Sequence, residues 1–175
     1  MESHKPFSDW NLGPEYLIVK KIGQGGYGDV VEAIHRTTTS IRRVAIKRMK
    51  GIFCKTDIFS TQRILYANRV LRELVLLKRL KNPYIVELLD IIEPEDRDNF
   101  DEIYLVMELA DIDFRNFIQS ETILTLDEVR ILTYKLLCCL NYLLSAKIIH
   151  RDLKPNNILV SNMTNLLTQE RNPIE

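Results

Sequence analysis

The chain is 175 residues long, 46% apolar and 27% charged, with Lys+Arg and Asp+Glu balanced at 24 each. That length holds one good core or two small lobes, and the composition excludes disordered, collagen-like and fibrous classes. Zero net charge gives no reason to expect a nucleic-acid or membrane-surface partner, the longest apolar runs are too short to span a bilayer, and no signal-peptide core opens the chain. A cytoplasmic protein is therefore expected, with nuclear access left open.

Residues 1–14 are mostly polar, contain Pro6 and Pro14, and read as a loosely held leader. Residues 16–22 favour strand and run into G-Q-G-G-Y-G at 23–28, after which 30–35 favour strand again. The spacing G-x-G-x-x-G alone is weak, since dinucleotide-binding folds share it. The residues after the glycines decide between the two: a nicotinamide or flavin site needs a helix whose N-terminus meets the pyrophosphate, whereas V-V-E-A-I-H is β-branched and apolar. A hairpin folding over phosphates fits better, and an oxidoreductase is disfavoured.

Thr37 to Ser40 reads as a turn, and residues 43–49 as a third strand carrying V-A-I-K at 44–47. A lysine in a buried-looking strand costs several kcal/mol unless an anion pairs with it, so Lys47 is expected to have an anionic partner. Residues 69–80 show an apolar helical stripe, Val70, Leu71, Leu74, Leu77 and Leu80, which Asn82-Pro83 ends. Residues 85–92 read as a strand, the acidic run 93–102 as a solvated hairpin loop, and 103–109 as a continuous apolar strand. A connection at 110–113 leads into a second, helical region. There T-L-D-E at 125–128 is a capping box that opens a helix to about residue 146, with Val129, Leu132, Leu136, Leu140 and Leu143 on one face. Cys138 and Cys139 fall in that pattern. With Cys54 they have neither metal-ligand spacing nor a partner histidine, and they read as buried thiols.

The helix delivers the chain to I-I-H-R-D-L-K-P-N-N-I-L-V at 148–160. Its apolar flanks suit short strands, while Pro155 and the two asparagines keep the middle out of helix. Asp152 would accept a proton from a hydroxyl, Lys154 would neutralise a transferring phosphate, and Asn157 would hold a metal ion through its amide oxygen. An ordinary polar loop is the bland alternative. Lys154, Pro155 and Asn157 in register with His150-Arg151-Asp152 make it the weaker one.

These motifs, in this order over roughly residues 16–160, resemble the protein-kinase family. The loop matches H-R-D-L-x-x-x-N, the glycine stretch with Val30 matches G-x-G-x-x-G-x-V, and 44–47 match the V-A-I-K strand. The phrases R-V-L-R-E-L-V-L-L-K, N-F-D-E-I-Y-L-V-M-E-L and S-A-K-I-I-H-R-D-L-K-P are most similar to the mitogen-activated protein kinase group, although Leu144 stands where that group carries histidine. The resemblance implies an α+β two-lobe fold: a complete N-lobe at 15–109 with a five-stranded antiparallel sheet and one main helix, a hinge at 110–113, a partial helical C-lobe at 114–160, and a divergent tail at 161–175. It implies ATP and Mg²⁺ as cofactors, a protein serine or threonine hydroxyl as acceptor, and an upstream activating kinase where a full-length form exists.

By the same resemblance Ile22, Gly23, Gly25, Gly26, Gly28, Val30, Ala45 and Leu159 line the nucleotide. Lys47 meets its phosphates and pairs with the next helix's glutamate, for which Glu73 is the only candidate between Lys47 and Glu87. Met107 stands as gatekeeper, Glu108 and Ala110 offer backbone groups to adenine, and Asp113 meets the ribose. Asp152, Lys154 and Asn157 keep the roles read from their chemistry. The stretch 51–68 is longer than in the nearest families, which implies an extra helical turn or loop.

The pattern stops after the loop: no aspartate follows Asp152 and no glycine follows Gly51, so 161–175 cannot supply Asp-Phe-Gly, the family's main Mg²⁺ ligand. The expectation is a truncated, catalytically impaired kinase, or alternatively a pseudokinase or binding fragment. Five or so aliphatic side chains left without cover, at about 1.5–3 kcal/mol each, would make a lone chain marginal or aggregation-prone.

Overall fold

The computed structural model describes residues 7–25, 28–52, 61–94, 96, 100–120 and 123–161. They divide into two compact units, Met1–Lys81 with Val86–Leu109, and Asn82–Ile85 with Ala110–Glu175. Among the described residues no helix is long and apolar enough to cross a membrane.

The first unit is a five-stranded antiparallel sheet in the order β1-β2-β3-β5-β4, with one long helix. Its strands are β1 (Tyr16–Gly25), β2 (Gly28–Arg36), β3 (Ile41–Lys50), β4 (Leu88–Ile92) and β5 (Glu102–Glu108), and the helix is α1 (Thr61–Arg79). This is the sheet and helix that the family resemblance implies. The turn at 37–40 is closed by the Thr37 hydroxyl, which accepts from the Ser40 N–H at 3.0 Å and so uses side-chain chemistry where the strands leave off.

Central strand β3 buries Val44, Ala45 and Ile46 in succession instead of alternating, because both of its faces are covered. On one face Val44 and Ile46 join Val31, Ala33, Tyr104 and Val106, with Phe7, Trp10 and Leu12 packed over them. On the other, Met49, Ile103 and Leu105 meet Val70 of α1 and, at the margin, Leu74, Leu77 and Met107. The expected loose leader is therefore held from residue 7 onward; its apolar side chains Phe7, Trp10 and Leu12 have a sheet face to bury against, and only residues 1–6 lie outside the described ones.

Two boundaries move. Helix α1 begins at Thr61, eight residues before the expected start, so at least part of the long stretch 51–68 is extra helix. Strand β4 begins at Leu88 instead of residue 85, because Asn82 folds the preceding residues into a turn: its side-chain oxygen accepts from the Tyr84 N–H at 2.9 Å and its carbonyl from the Ile85 N–H at 3.0 Å. Within α1, Leu71 leaves the expected stripe and faces solvent. Part of the acidic run, residues 95 and 97–99, lies outside the described residues, and the run's last member, Glu102, already belongs to β5.

The second unit contains β6 (Ile112–Asp113), α2 (Phe114–Gln119), α3 (Leu126–Ser145), a short 3-10 turn (Pro155–Asn157) and β7 (Leu159–Val160). Helix α3 starts with the expected capping box: Thr125 Oγ1 accepts from the Glu128 N–H, and the Glu128 carboxylate accepts from the Thr125 N–H at 2.6 Å. Bonds to that backbone N–H and to the Thr125 hydroxyl hold the Glu128 carboxyl below its ordinary range. At its other end Lys147 adopts φ 61°, and the N–H groups of Lys147 and Ile148 return to the carbonyls of Leu144 and Leu143. This left-handed cap turns the chain out of the helix toward His150. Of the expected apolar face only Leu143 is buried. Cys138 and Cys139 are half-buried, short of the burial expected, and desolvation pushes the Cys139 thiol up; Cys54 lies outside the described residues.

Candidate active site

The predicted site residues fall into two groups, one in each unit. In the first, β1 and β2 form the hairpin that the glycine pattern suggested, with pairs Gly23↔Val30, Gln24↔Asp29 and Gly25↔Gly28. Lys21 Nζ reaches Asp29 Oδ1 at 2.6 Å and ties the two arms. Gly28 is the glycine that must be one: its φ is +144°, and a Cβ there would stand 1.8 Å from the Arg48 carbonyl oxygen. Gly26 and Tyr27 lie outside the described residues.

Strand pairing then sets the face. Val30 and Leu105 are the cross-strand partners of Lys47, and Met107 that of Ala45. Alternation places Val30, Ala45, Lys47 and Met107 on the side of the sheet that α1 covers, with Ala45 buried. Ile22, at the rim, is exposed. Lys47 Nζ donates to Glu73 Oε1 at 2.6 Å, their side chains 18% and 31% exposed. The anionic partner that a buried-strand lysine demands is thus supplied by α1. The Glu108 N–H is engaged by the Glu87 carbonyl at 3.0 Å, so that donor is taken by β4's approach and is not available to an adenine.

In the second unit the loop after α3 is built around Asp152. Asn157 Nδ2 donates to Asp152 Oδ2 at 2.8 Å and to its carbonyl at 2.8 Å, Lys154 Nζ lies 2.9 Å from Oδ2, and the Asp152 N–H donates to His150 Nδ1 at 3.3 Å. Arg151 carries φ 64°, a left-handed backbone that a non-glycine residue adopts only at a cost of the order of 1–3 kcal/mol, as at many functional loops. Lys154 first, and Asn157 second, hold the Asp152 carboxyl below the usual carboxylate value of 3.8. It is ionised at neutral pH and able to accept a proton or a hydrogen bond.

The apolar flanks only half follow the expectation of short strands. Leu159 and Val160 pair with Asp113 and Ile112, but residues 148–150 form no strand, and the Ile148 N–H is taken by the helix cap. That small ladder, with the Phe114 N–H donating to the Ile158 carbonyl at 2.8 Å, fixes the loop's exit beside the segment that starts the unit. Leu159 is exposed. Asp113 caps α2, its Oδ1 accepting from the Asn116 N–H at 2.9 Å, so a structural duty accompanies its expected meeting with a ribose.

Among the described residues no group of three or more His, Cys, Asp or Glu side chains is placed to hold a metal ion. The donor set at the loop is one amide oxygen, on Asn157, next to the Asp152 carboxylate. These hard oxygen donors suit Mg²⁺, an ion that keeps water and phosphate oxygens as its other ligands.

One cluster was missed by sequence reasoning: Arg48, whose guanidinium is gripped by Asp9, Glu102 and two aromatic rings on the sheet face opposite Lys47. The available signals were its position next to Lys47 in an alternating strand and the chain's sole tryptophan, Trp10, inside a polar leader.

A Gly-rich hairpin, a strand lysine paired with a helix glutamate, and an Asp-Lys-Asn loop are the working parts of a phosphoryl-transfer fold. A family model described as the protein kinase domain matches residues 16–168, and the chain belongs to that family. Within it the chain is similar to mitogen-activated protein kinases. It is 38% identical over 152 residues to mitogen-activated protein kinase 7 of Arabidopsis thaliana, covering 87% of this chain and 39% of that protein. It is 39% identical over 153 residues to mitogen-activated protein kinase 4 of Oryza sativa subsp. japonica, covering 87% and 38%, and 37% identical over 158 residues to mitogen-activated protein kinase p38b of Drosophila melanogaster, covering 88% and 40%. The chain thus spans about two fifths of the length of these relatives.

Proposed function

We propose that this chain carries the nucleotide-binding and catalytic-loop parts of a serine/threonine protein kinase of mitogen-activated type, acting in the cytoplasm. In the intact protein the γ-phosphate of ATP passes to a serine or threonine hydroxyl of a protein substrate, after activation by an upstream kinase. The observation that carries this reading is the Asp152 carboxylate, kept ionised between Lys154 and Asn157.

Asp152 orients the hydroxyl and takes its proton as the oxygen bonds to phosphorus and ADP leaves. Lys154 offsets charge on the transferring group, and Lys47, steered by Glu73, binds the nucleotide phosphates. Asn157 is the residue of this chain that would hold Mg²⁺, which supplies charge neutralisation between the phosphates. Lysine at 154 agrees with serine/threonine specificity.

Asp152→Asn in the full-length protein is expected to lower phosphorylation of a generic protein substrate by about 10²–10⁴-fold. Near-wild-type turnover would overturn the role of Asp152. In the 175-residue chain, binding of a fluorescent ATP analogue that weakens on Lys47→Met supports the nucleotide reading, and equal binding removes it.

A further inference from the structure

We infer that the segment Phe7 to Leu12 is a strap that positions Lys47 from the opposite face of the sheet, acting through Arg48. The strap meets one residue of β3 with most of its polar capacity. Arg48 Nη1 donates to Asp9 Oδ2 at 2.7 Å and Nη2 to the Asp9 carbonyl at 2.6 Å, while Nε and Nη2 both reach Glu102 Oε2, at 2.8 and 2.6 Å. The guanidinium lies against the rings of both Trp10 and Tyr104, at 5.3 and 5.7 Å from their centroids, and the two rings touch each other at 5.6 Å. Tyr104, the cross-strand partner of Arg48, donates to Glu102 at 2.6 Å and accepts from the Asn11 N–H at 3.0 Å. Lys50 Nζ reaches Asp9 at 3.0 Å.

Two carboxylates, Asp9 and Glu102, hold Arg48, and Asp9 also meets Lys50; the residue Arg48 is 5% exposed. Removing the Asp9 carboxylate leaves Arg48 with Glu102 and the residue 9 carbonyl and takes away the acceptor of Lys50, and a buried guanidinium short of an acceptor turns toward water. Because it sits in the strand residue next to Lys47, that turn is transmitted to the backbone from which Lys47 projects on the other side. The Arg48 carbonyl also abuts Gly28, where no Cβ fits, so the same residue touches the strap with its side chain and the glycine hairpin with its backbone. Strap, hairpin and phosphate-binding lysine share Arg48 as their common point. Arg48 is thus a positioning residue, and the proposal rests on Lys47 being the phosphate-binding group only for its consequence in nucleotide affinity.

The test is carried out on the whole chain, with lysines dimethylated by ¹³C and the Lys47 signal assigned through Lys47→Arg. Asp9→Ala with Trp10→Ala is compared with wild type and with Glu73→Gln, at a temperature where circular dichroism shows all of them folded. Release of the strap is expected to move the Lys47 signal in the direction that Glu73→Gln moves it, and to weaken binding of a fluorescent ATP analogue by about tenfold. Asp9→Glu, which keeps the carboxylate, is expected to restore most of both. A lower melting temperature with an unmoved Lys47 signal makes the strap merely structural and overturns the inference. A moved Lys47 signal in a chain that never binds the analogue supports the positioning role and overturns instead the nucleotide reading. Should the double variant not fold, Asp9→Asn is read in the same way, an unmoved signal again overturning the inference.

Discussion

The sheet of the first unit and the long helix of the second are both rich in aliphatic side chains, yet they use them differently. Val31, Val44, Ile46, Met49, Leu105 and Val106 are almost wholly removed from solvent, all of them in the sheet, and among the described residues of the second unit Phe117 alone is buried to that degree. In α3, Leu126, Tyr134, Leu137 and Leu144 are exposed. The sheet owns its covers, α1 on one face and residues 7–12 on the other, whereas no described element of the second unit hides these side chains of α3. An apolar helical pattern states which face seeks cover, and burial depends on what arrives to supply it.

The strongest way to break that comparison is to delete the same atoms from both units. Leu105→Ala, at a fully buried site, is expected to cost about 3–4 kcal/mol, whereas Leu137→Ala, at a side chain 58% exposed, is expected to stay within about 0.5 kcal/mol. Urea unfolding checks this, read by Trp10 fluorescence for the first unit and by helical dichroism for the second; Trp10, the sole tryptophan, sits on the sheet face and reports that unit alone. Equal losses at the two sites would mean that α3 is covered in solution.

A smaller effect sharpens the same contrast. With its side chains largely in water, α3 leans on its own end chemistry. Thr125→Ala removes the acceptor of the Glu128 N–H and is expected to destabilise the helix by about 1 kcal/mol. Amide hydrogen exchange in the first turns of α3 is the measurement, and unchanged protection there would show that packing, not the cap, starts the helix.

Local chemistry is what the sequence made legible. The hairpin was readable because β-branched residues follow the glycines, the Lys47–Glu73 pair because a strand lysine needs an anion and the family's helix offers only Glu73, and the α3 start because Thr125 and Glu128 stand three apart. What stayed hidden depends on distant partners. Trp10 signals that the leader packs somewhere, but nothing near residue 9 names Arg48, 39 positions away, as the place, so a leader with three apolar side chains read as loose. The engaged Glu108 N–H and the capping duty of Asp113 were hidden for a related reason: each is a use of a site residue by its own fold. The longer α1 escaped because Ile64 and Leu65 in its first turns are exposed, off the apolar stripe from which the helix was read.

The mildest probe concerns the loop at Asp152, where the whole arrangement is open to water and screening limits every contact. Lys154 contributes more than Asn157 to holding the Asp152 carboxyl below 3.8. A carboxylate depressed in the folded state adds stability above its unfolded value and loses it as pH falls through the folded one, so the contribution of the Asp152 carboxylate itself should be constant above about pH 5 and be lost only below about 4. Titration of the Asp152 carboxyl by NMR, with the Asn157 side-chain amide as a second reporter, tracks both ends of the bond. Lys154→Met is expected to raise the midpoint more than Asn157→Ala does, because it removes a charge as well as a donor. A midpoint that neither variant moves would mean that the carboxylate is held by something other than these two side chains, and Asp152 would then lose the electrostatic setting that makes it an acceptor at neutral pH.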